Sequence, residues 1–575
     1  MNINSFENKF FETNLLIIGG GAAGCLAAVE AAEIEENLKI IIAEKAHIDR
    51  SGCLASGINA INAYINSGET PEKFVEYVLN DSMGLIREDL VYSIAKKLNE
   101  VVHRVEKWGL PIKKDSKNNY CQRGRWNIEI NGESIKPILA DKVREKGVTI
   151  LNRLCITDFV KDKYGRIIGA CGFGVRDGSF YYIKADAVIV CTGGAAGIYK
   201  PNNEGSAHHK IWYCPFNTGA GYAMGIRAGA EMTTFEMRFI ALRIKDILAP
   251  TGTLALGFGG KQINAMGERF MLKKFAEVGA EGAPTPLRVY GPTRELKEGR
   301  GPIFMDLTHL SAEEIKSLKK AYLNMYPELI LYWAANGIEP SRDLVEIKGT
   351  EPYLVGGHAQ AGYWITTNRE TTLPALFAAG DVAGGAPYKF VSGCWVEGIL
   401  AARSAVQYIK NNRLENNKFG FSLKSKKLRV FTPLILKKGI KPGEMEEYLQ
   451  KTMDEYAGGI SKYYEMNEKE LLIAIKKIKE LKTQIKYLNA DDLHQLLNCH
   501  EVIDRVTVAE VLVEHLLYRK ETRWPAYQTR SDYPEMNNKK WLKFINSRYQ
   551  NGEIKIIERP YRKSIGGYTN EYQSR

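Results

Sequence analysis

The chain has 575 residues, 45% apolar and 25% charged, which is too long for one core and predicts two or three globular domains. Its formal net charge of +12 is spread over lysine-rich stretches such as Lys424 to Lys427 and Lys476 to Lys486, which reads as a solvated surface, a face for an acidic protein or a pocket for an anionic substrate rather than a nucleic-acid interface. The nine cysteines contain no C-x-x-C pair, no apolar run approaches the roughly twenty residues that cross a bilayer, and no basic-then-apolar leader opens the chain, so a cluster or structural zinc site is disfavoured and a cytoplasmic protein is expected.

The first predicted element is an apolar strand, Leu15-Leu16-Ile17-Ile18, running into Gly19-Gly20-Gly21-Ala22-Ala23-Gly24. A second apolar run, Ile40 to Ala43, ends in Glu44, twenty positions after Gly24. Strand, glycine turn, small-residue helix, strand and acid is the order that grips the ADP half of a dinucleotide. Gly19 permits the tight turn, and Gly21 lets backbone N–H groups approach a pyrophosphate. Gly24 lets the helix pack close to its strand, and Glu44 offers acceptors to ribose hydroxyls. The helix N-terminus adds partial positive charge.

Two later strands end in small residues, Ala185 to Gly194 and Leu376 to Asp381, as expected at the carboxyl edge of a parallel sheet. The segment between them is glycine-rich from Gly252 to Gly267 and carries Ser311 and Glu314 at the spacing of a helix capping box. Residues 411 to 427 turn polar and linker-like. Beyond them Asn467 with Glu470 reads as a helix cap, followed by Leu471, Leu472, Ile475, Ile478, Ile485 and Leu488 at helical steps, and Val502 to Leu517 is a second periodic segment. The tail with Trp524, Tyr527, Tyr533, Trp541 and Phe544 reads as aromatic and irregular. The expected class is α/β, in the wider sense α+β multidomain. A Rossmann-like domain spans 1–240 and resumes at 353–425, a capping domain occupies 241–352, and a helical domain occupies 426–575.

A single glycine-rich unit with a late Gly380-Asp381 resembles flavin enzymes more than nicotinamide dehydrogenases. Residues 1 to 60, Thr192-Gly193-Gly194 and Ala379-Gly380-Asp381 resemble the fumarate reductase/succinate dehydrogenase flavoprotein superfamily, which binds FAD. Within it, five longer strings are similar to the flavoprotein (alpha) subunit branch of adenylylsulfate reductases. These are Asp49 to Gly52, Gly57 to Asn62, Gly124 to Ser134, Glu298 to Ile303 and Glu351 to His358. Asp492-Leu493-His494 and Glu521 to Pro525 continue the likeness. Two departures set the chain apart from the fumarate and succinate branch. Gly52 stands where a histidine would tether the flavin, implying non-covalent FAD. Tyr388-Lys389-Phe390-Val391 stands where a clamping arginine is expected, and a lysine is a poor substitute for a bidentate fork.

The resemblance implies reduction of adenylylsulfate to sulfite and AMP, or the reverse, through a sulfite adduct at flavin N5. It also implies that a ferredoxin-like iron–sulfur beta subunit supplies electrons. It assigns Arg243, Arg288, His358, Glu133 and Asn62 to the reacting site, with Leu256 as an apolar wall and Lys389 near substrate. His358, if protonated, would be a third positive donor. FAD would be held by Gly19, Gly21, Ala22, Ala23, Gly24, Glu44, Lys45, Ser51, Gly52, Thr192, Gly193, Gly380, Asp381 and Glu397, the last read as a helix start whose dipole faces the flavin. Trp212 and Trp395 could stack on flavin or adenine, or simply pack. A fumarate/succinate-type flavoprotein acting on a dicarboxylate, or an electron-transfer flavoprotein without a substrate site, are the alternatives.

Overall fold

A computed structural model describes residues 5–56, 58–65, 68–123, 126–205, 210–412 and 423–563; Gly57, Gly124 and Arg125 of the motif strings lie outside them. Strand β1 (Asn8–Ile18), helix α1 (Ala22–Ile34) and strand β2 (Ile40–Glu44) form the nucleotide unit. Helix α2 (Pro71–Asp81) follows, then β3 (Phe180–Val190). β1 lies between β2 and β3, parallel to both, with Ile18 opposite Ala43 and Val190. Leu376–Ala378 adds to the far side of β3, also parallel. The apolar runs need no alternation because helices cover the sheet, and Leu15, Leu16 and Ile17 are fully buried. Antiparallel strands Ile167–Gly174 and Leu154–Lys161 extend the sheet beyond β3.

The parallel strands end together. Gly19, Glu44, Thr192 and Gly380 therefore stand along one sheet edge, the place where open α/β sheets bind ligands. Gly19 has φ +101, and a Cβ there would meet the Cys191 carbonyl oxygen at 2.5 Å. A Cβ on Gly24 would lie 1.9 Å from the Gly19 carbonyl oxygen. The first glycine is required by conformation and space, the second by space alone.

The segment between the two halves of this unit has its own apolar cluster, including Leu242, Ile303, Met305, Leu318 and Ile347. Its sheet runs β4 (Leu242–Ile244), Val345–Gly349, Phe304–Asp306, Lys261–Ile263, all antiparallel. Helix α3 (Thr285–Lys297) belongs to it. Ser311 and Glu314 form the expected capping box of the next helix, Ala312–Met325.

Helix α4 (Phe390–Asn411) returns against α1, where a Cβ on Gly398 would lie 2.2 Å from the Ala23 carbonyl oxygen. The C-terminal region packs Pro442–Tyr456 and Glu468–Gln484 against the long helix α5 (Leu493–Tyr518). The Asn467 side chain accepts from the Glu470 N–H, as expected of a cap. Leu472, counted among the apolar stripe, is 54% exposed.

The tail is not irregular throughout. Lys543–Gln550 and Glu553–Pro560 pair antiparallel, and the first also pairs with Met232–Thr233. The turn is Asn551-Gly552, with φ of 53 and 87. Two left-handed residues in succession suit the right-handed twist of a hairpin, so Asn-Gly was the signal beneath the aromatic composition. Among the described residues no helix is long and apolar enough to cross a membrane.

Gly24→Ala should lower stability by about 1–3 kcal/mol through overpacking and weaken FAD retention, because α1 must shift away from the turn. Thermal unfolding and flavin content of the purified variant check this.

Candidate functional site

A cavity of about 1570 Å³ opens along the carboxyl edge of the parallel strands. Its wall includes Gly19, Gly21, Ala22, Ala23, Glu44, Lys45, Ser51, Gly52, Thr192, Gly193, Gly380 and Asp381. Twelve of the fourteen residues expected to hold FAD thus lie on one surface. Gly24 lies beneath the turn and serves helix packing. An ideal Cβ at Gly21 would meet nothing within 4 Å, so this bare backbone faces open space suited to a pyrophosphate.

Both Glu44 carboxylate oxygens accept backbone N–H bonds, Oε2 from Gly20 at 2.7 Å and Oε1 from Ala46 at 2.7 Å. These bonds orient the carboxylate while each oxygen keeps a lone pair for a ribose hydroxyl. Lys45 Nζ donates to Glu501 Oε1 at 2.7 Å, joining this end of the cavity to α5. His494, Leu497 and Glu501 extend the wall from α5. Asp381 Oδ2 accepts from the Tyr213 hydroxyl at 2.7 Å, and that hydroxyl accepts from Gly194 N–H at 3.1 Å. Burial pushes the Asp381 carboxyl up from its usual range.

Glu397 and Lys389 stand behind this wall. Glu397 lies inside α4, eight residues after Lys389 at its N-cap, so it is not a helix start. Its Oε2 accepts from Gly380 N–H at 2.8 Å and from Lys389 Nζ at 3.3 Å. Lys389 also donates to the carbonyls of Gly380 at 2.8 Å and Ala383 at 2.6 Å. Both side chains are fully buried. The lysine that sequence reasoning placed near substrate is spent on shaping the turn that presents Asp381.

The reacting-site candidates converge at the other end of the cavity. Asn62, Arg243, Leu256, Arg288 and His358 all line it. Glu133 does not; it sits exposed on a short turn, Gly132–Ser134, outside the wall. Arg243 lies on β4, 8% exposed, with its guanidinium 4.6 Å from the Trp212 ring centroid. Its Nη1 donates to the Leu242 carbonyl at 3.2 Å and its Nε is buried without a partner. Arg288, on the first turn of α3, donates from Nη2 to Thr285 Oγ1 at 2.5 Å, and its Nε is likewise unpartnered. Among the described residues neither arginine forms an ion pair. Burial lowers the Arg243 pKa to about 10, so it stays charged at neutral pH.

His358 is boxed by Phe239, Phe390 and Trp212, with ring centroids at 4.7, 4.9 and 5.1 Å. Burial, with Arg243 nearby, lowers its pKa to about 3. It is therefore a neutral imidazole, not the third positive donor expected of it. Its Nδ1 is buried and unpartnered. Trp212 lines the cavity, whereas Trp395 is fully buried packing.

Sequence reasoning missed three contributors. Tyr213 holds Asp381, and Asp81 lines the cavity from the end of α2. Tyr353 accepts from the Trp212 backbone N–H at 2.9 Å and donates to the buried Glu351 carboxylate. Glu351 and Tyr353 stood in a quoted motif string but without a role, since only the folded chain brings them against Trp212.

Comparison with known proteins places this geometry. Residues 14–391 match the FAD binding domain family, and 446–565 match the fumarate reductase flavoprotein C-terminal family. The chain is 32% identical to the adenylylsulfate reductase subunit alpha of Megalodesulfovibrio gigas, over 96% of each. It is similar to the structure of adenylylsulfate reductase from Archaeoglobus fulgidus, with 36% identity, a TM-score of 0.93 and 99% of each chain covered. A structure of adenosine-5-phosphosulfate reductase in complex with sulfite, as a covalent adduct, is 37% identical with the same TM-score and coverage. Escherichia coli quinol fumarate reductase FrdA shares the fold at 19% identity and a TM-score of 0.80, covering 98% of this chain and 99% of that one.

Burial raises the Glu351 pKa to about 7 from an ordinary 4.5. Between those values the folded chain holds a proton that the unfolded chain releases, so this contribution to stability is lost as pH rises toward 7. Glu351→Gln removes the term. Relative to wild type, the variant should gain melting temperature between about pH 5 and about pH 8; parallel profiles would count against it.

Proposed function

This chain belongs to the adenylylsulfate reductase alpha-subunit family of FAD flavoproteins, and we propose that Arg243, Arg288, His358 and Asn62 form its reacting site. It is an FAD-dependent oxidoreductase acting on a sulfur group, interconverting adenylylsulfate with sulfite and AMP. Bound FAD supplies the two-electron chemistry at sulfur. The chain's own task is electrostatic and geometric.

The observation that carries the assignment is a buried arginine without a carboxylate. Arg243 is 8% exposed, stacked on an indole and not ion-paired among the described residues. A buried cation of this kind is costly unless an anion joins it. Adenylylsulfate brings a sulfate and a phosphate, and a guanidinium can bond paired oxyanion oxygens. Arg288 supplies a second cation on the same cavity. Together they offset repulsion between the substrate's oxygens and an electron-rich cofactor, and hold the sulfur in line. His358, neutral and apolar-walled, offers one ring N–H donor and one acceptor without adding charge. AMP is a good leaving group, so its departure needs charge stabilisation at the phosphate more than a strong acid. Leu256 and the aromatic box keep water from the reacting end.

Electrons enter from outside this chain. A ferredoxin-like iron–sulfur beta subunit is the proposed source, supported by the family and by the net charge of +12, which suits an acidic partner. The proposed location is cytoplasmic.

AMP-dependent oxidation of sulfite, followed with an artificial electron acceptor in the presence of the partner subunit, tests the assignment. Arg243→Ala should lower kcat/KM by roughly 10²–10³-fold, as loss of a transition-state donor does. Arg243→Lys should recover little, because an ammonium neither forks nor stacks. Fumarate reduction without AMP-dependent sulfite oxidation would overturn it.

A further inference from the structure

Asp81 is a buried carboxylate on the cavity wall that the mechanism above does not use. Asp81 ends α2 in the FAD-binding part of the chain and is 6% exposed. Its Oδ1 accepts from the backbone N–H of Thr285 at 3.0 Å. Thr285 is the first residue of α3, whose own preceding residue, Pro284, offers no side-chain cap. The helix that carries Arg288 one turn later is therefore capped from a distant part of the chain. Oδ2 is buried and has no hydrogen-bond partner. The Tyr388 hydroxyl lies close enough to Asp81 to interact with it, yet neither its oxygen nor Oδ2 makes a well-formed hydrogen bond, and the buried hydroxyl of Tyr527 lies near both. Arg288 acts on Tyr527 as well, which puts the carboxylate and the guanidinium in one neighbourhood.

Buried polar atoms in native proteins are nearly always satisfied, so a carboxylate oxygen left without a well-formed bond on a residue of the cavity wall marks where a ligand's donor goes. A carboxylate accepts only. It cannot bond the sulfate or phosphate oxygens of the substrate, and it would repel them if they came close. What it can bond is a neutral donor, and the nucleoside end of the substrate has such groups in its ribose hydroxyls and exocyclic amine.

Resting on the function proposed above, we propose that Asp81 is a positioning and specificity residue with one duty per oxygen. Oδ1 seats α3 so that Arg288 faces the cavity. Oδ2 accepts a hydrogen bond from a hydroxyl or amino group of the nucleoside.

The carboxamide variant separates the duties. In Asp81→Asn the amide oxygen can still cap Thr285 while an NH₂ replaces the acceptor that faces the ligand. With the FAD-loaded chain and its partner, D81N should raise the KM for AMP about tenfold or more, the scale of a lost charged hydrogen bond, with kcat within about threefold of wild type. Asp81→Ala should lower kcat as well, because Arg288 loses its seat. Wild type should discriminate by about tenfold against one of 2′-deoxy-AMP, 3′-deoxy-AMP or IMP, and D81N should lose that particular discrimination. Equal discrimination in wild type and D81N, or a KM for AMP unchanged in D81N, would overturn the assignment. Flavin content and melting temperature show whether each variant is folded, and absence of discrimination by wild type alone would also overturn it. Wild type that oxidises no sulfite with AMP would instead count against the function, not against Asp81.

Discussion

An arginine buried without a counter-charge among the described residues organises this molecule. Taking a guanidinium out of water is unfavourable unless hydrogen bonds or an opposite charge replace the solvent. Here the chain replaces it only in part, with one backbone carbonyl and the face of Trp212. Arg243 thus has a fixed position and an unmet demand. The neutrality of His358 follows from the same surroundings, since the apolar box that holds the imidazole, and the cation beside it, both oppose a second positive charge. The proposed site has two guanidinium groups, Arg243 and Arg288, beside a neutral imidazole, rather than a cluster of three cations.

The FAD-binding half of the site was legible because its constraints are local. A turn that leaves no room for a Cβ, and an acid at the end of the next strand, write themselves into consecutive residues, so Gly19, Gly24 and Glu44 could be placed without a structure. The late Gly380-Asp381 could be placed because it too ends a strand. What failed were residues whose meaning depends on where a side chain points. Lys389 occupies the position of a substrate contact in sequence, yet its ammonium is closed in by two carbonyls and Glu397. Glu133 sits within a quoted motif string but is exposed on its turn. Asp81 and Tyr213 carry no sequence signal at all, because their partners lie over a hundred and fifty residues away.

The proposed substrate end of the cavity is assembled from separate stretches, three of which carry its ionisable side chains. β4 brings Arg243, α3 brings Arg288, and the segment leading to α4 brings His358 and Tyr388. None of these stretches could hold its side chain alone. The antiparallel sheet of the inserted segment pins β4 through Val345–Gly349, and the rigid turn before α4 is fixed by the buried Lys389–Glu397 pair. The same residues that look superfluous to chemistry thus fix the relative positions of the side chains that would hold cofactor and substrate.

The bond between Lys45 and Glu501 has a temporal meaning. The ammonium stands at the end of the first nucleotide unit, while its carboxylate partner belongs to α5, near the far end of the polypeptide. A chain emerging from the ribosome can pair β1 with β2 early, but the cavity lacks one wall until α5 has been made and has docked. A product truncated before α5 would present a groove open on the side that His494, Leu497 and Glu501 otherwise wall.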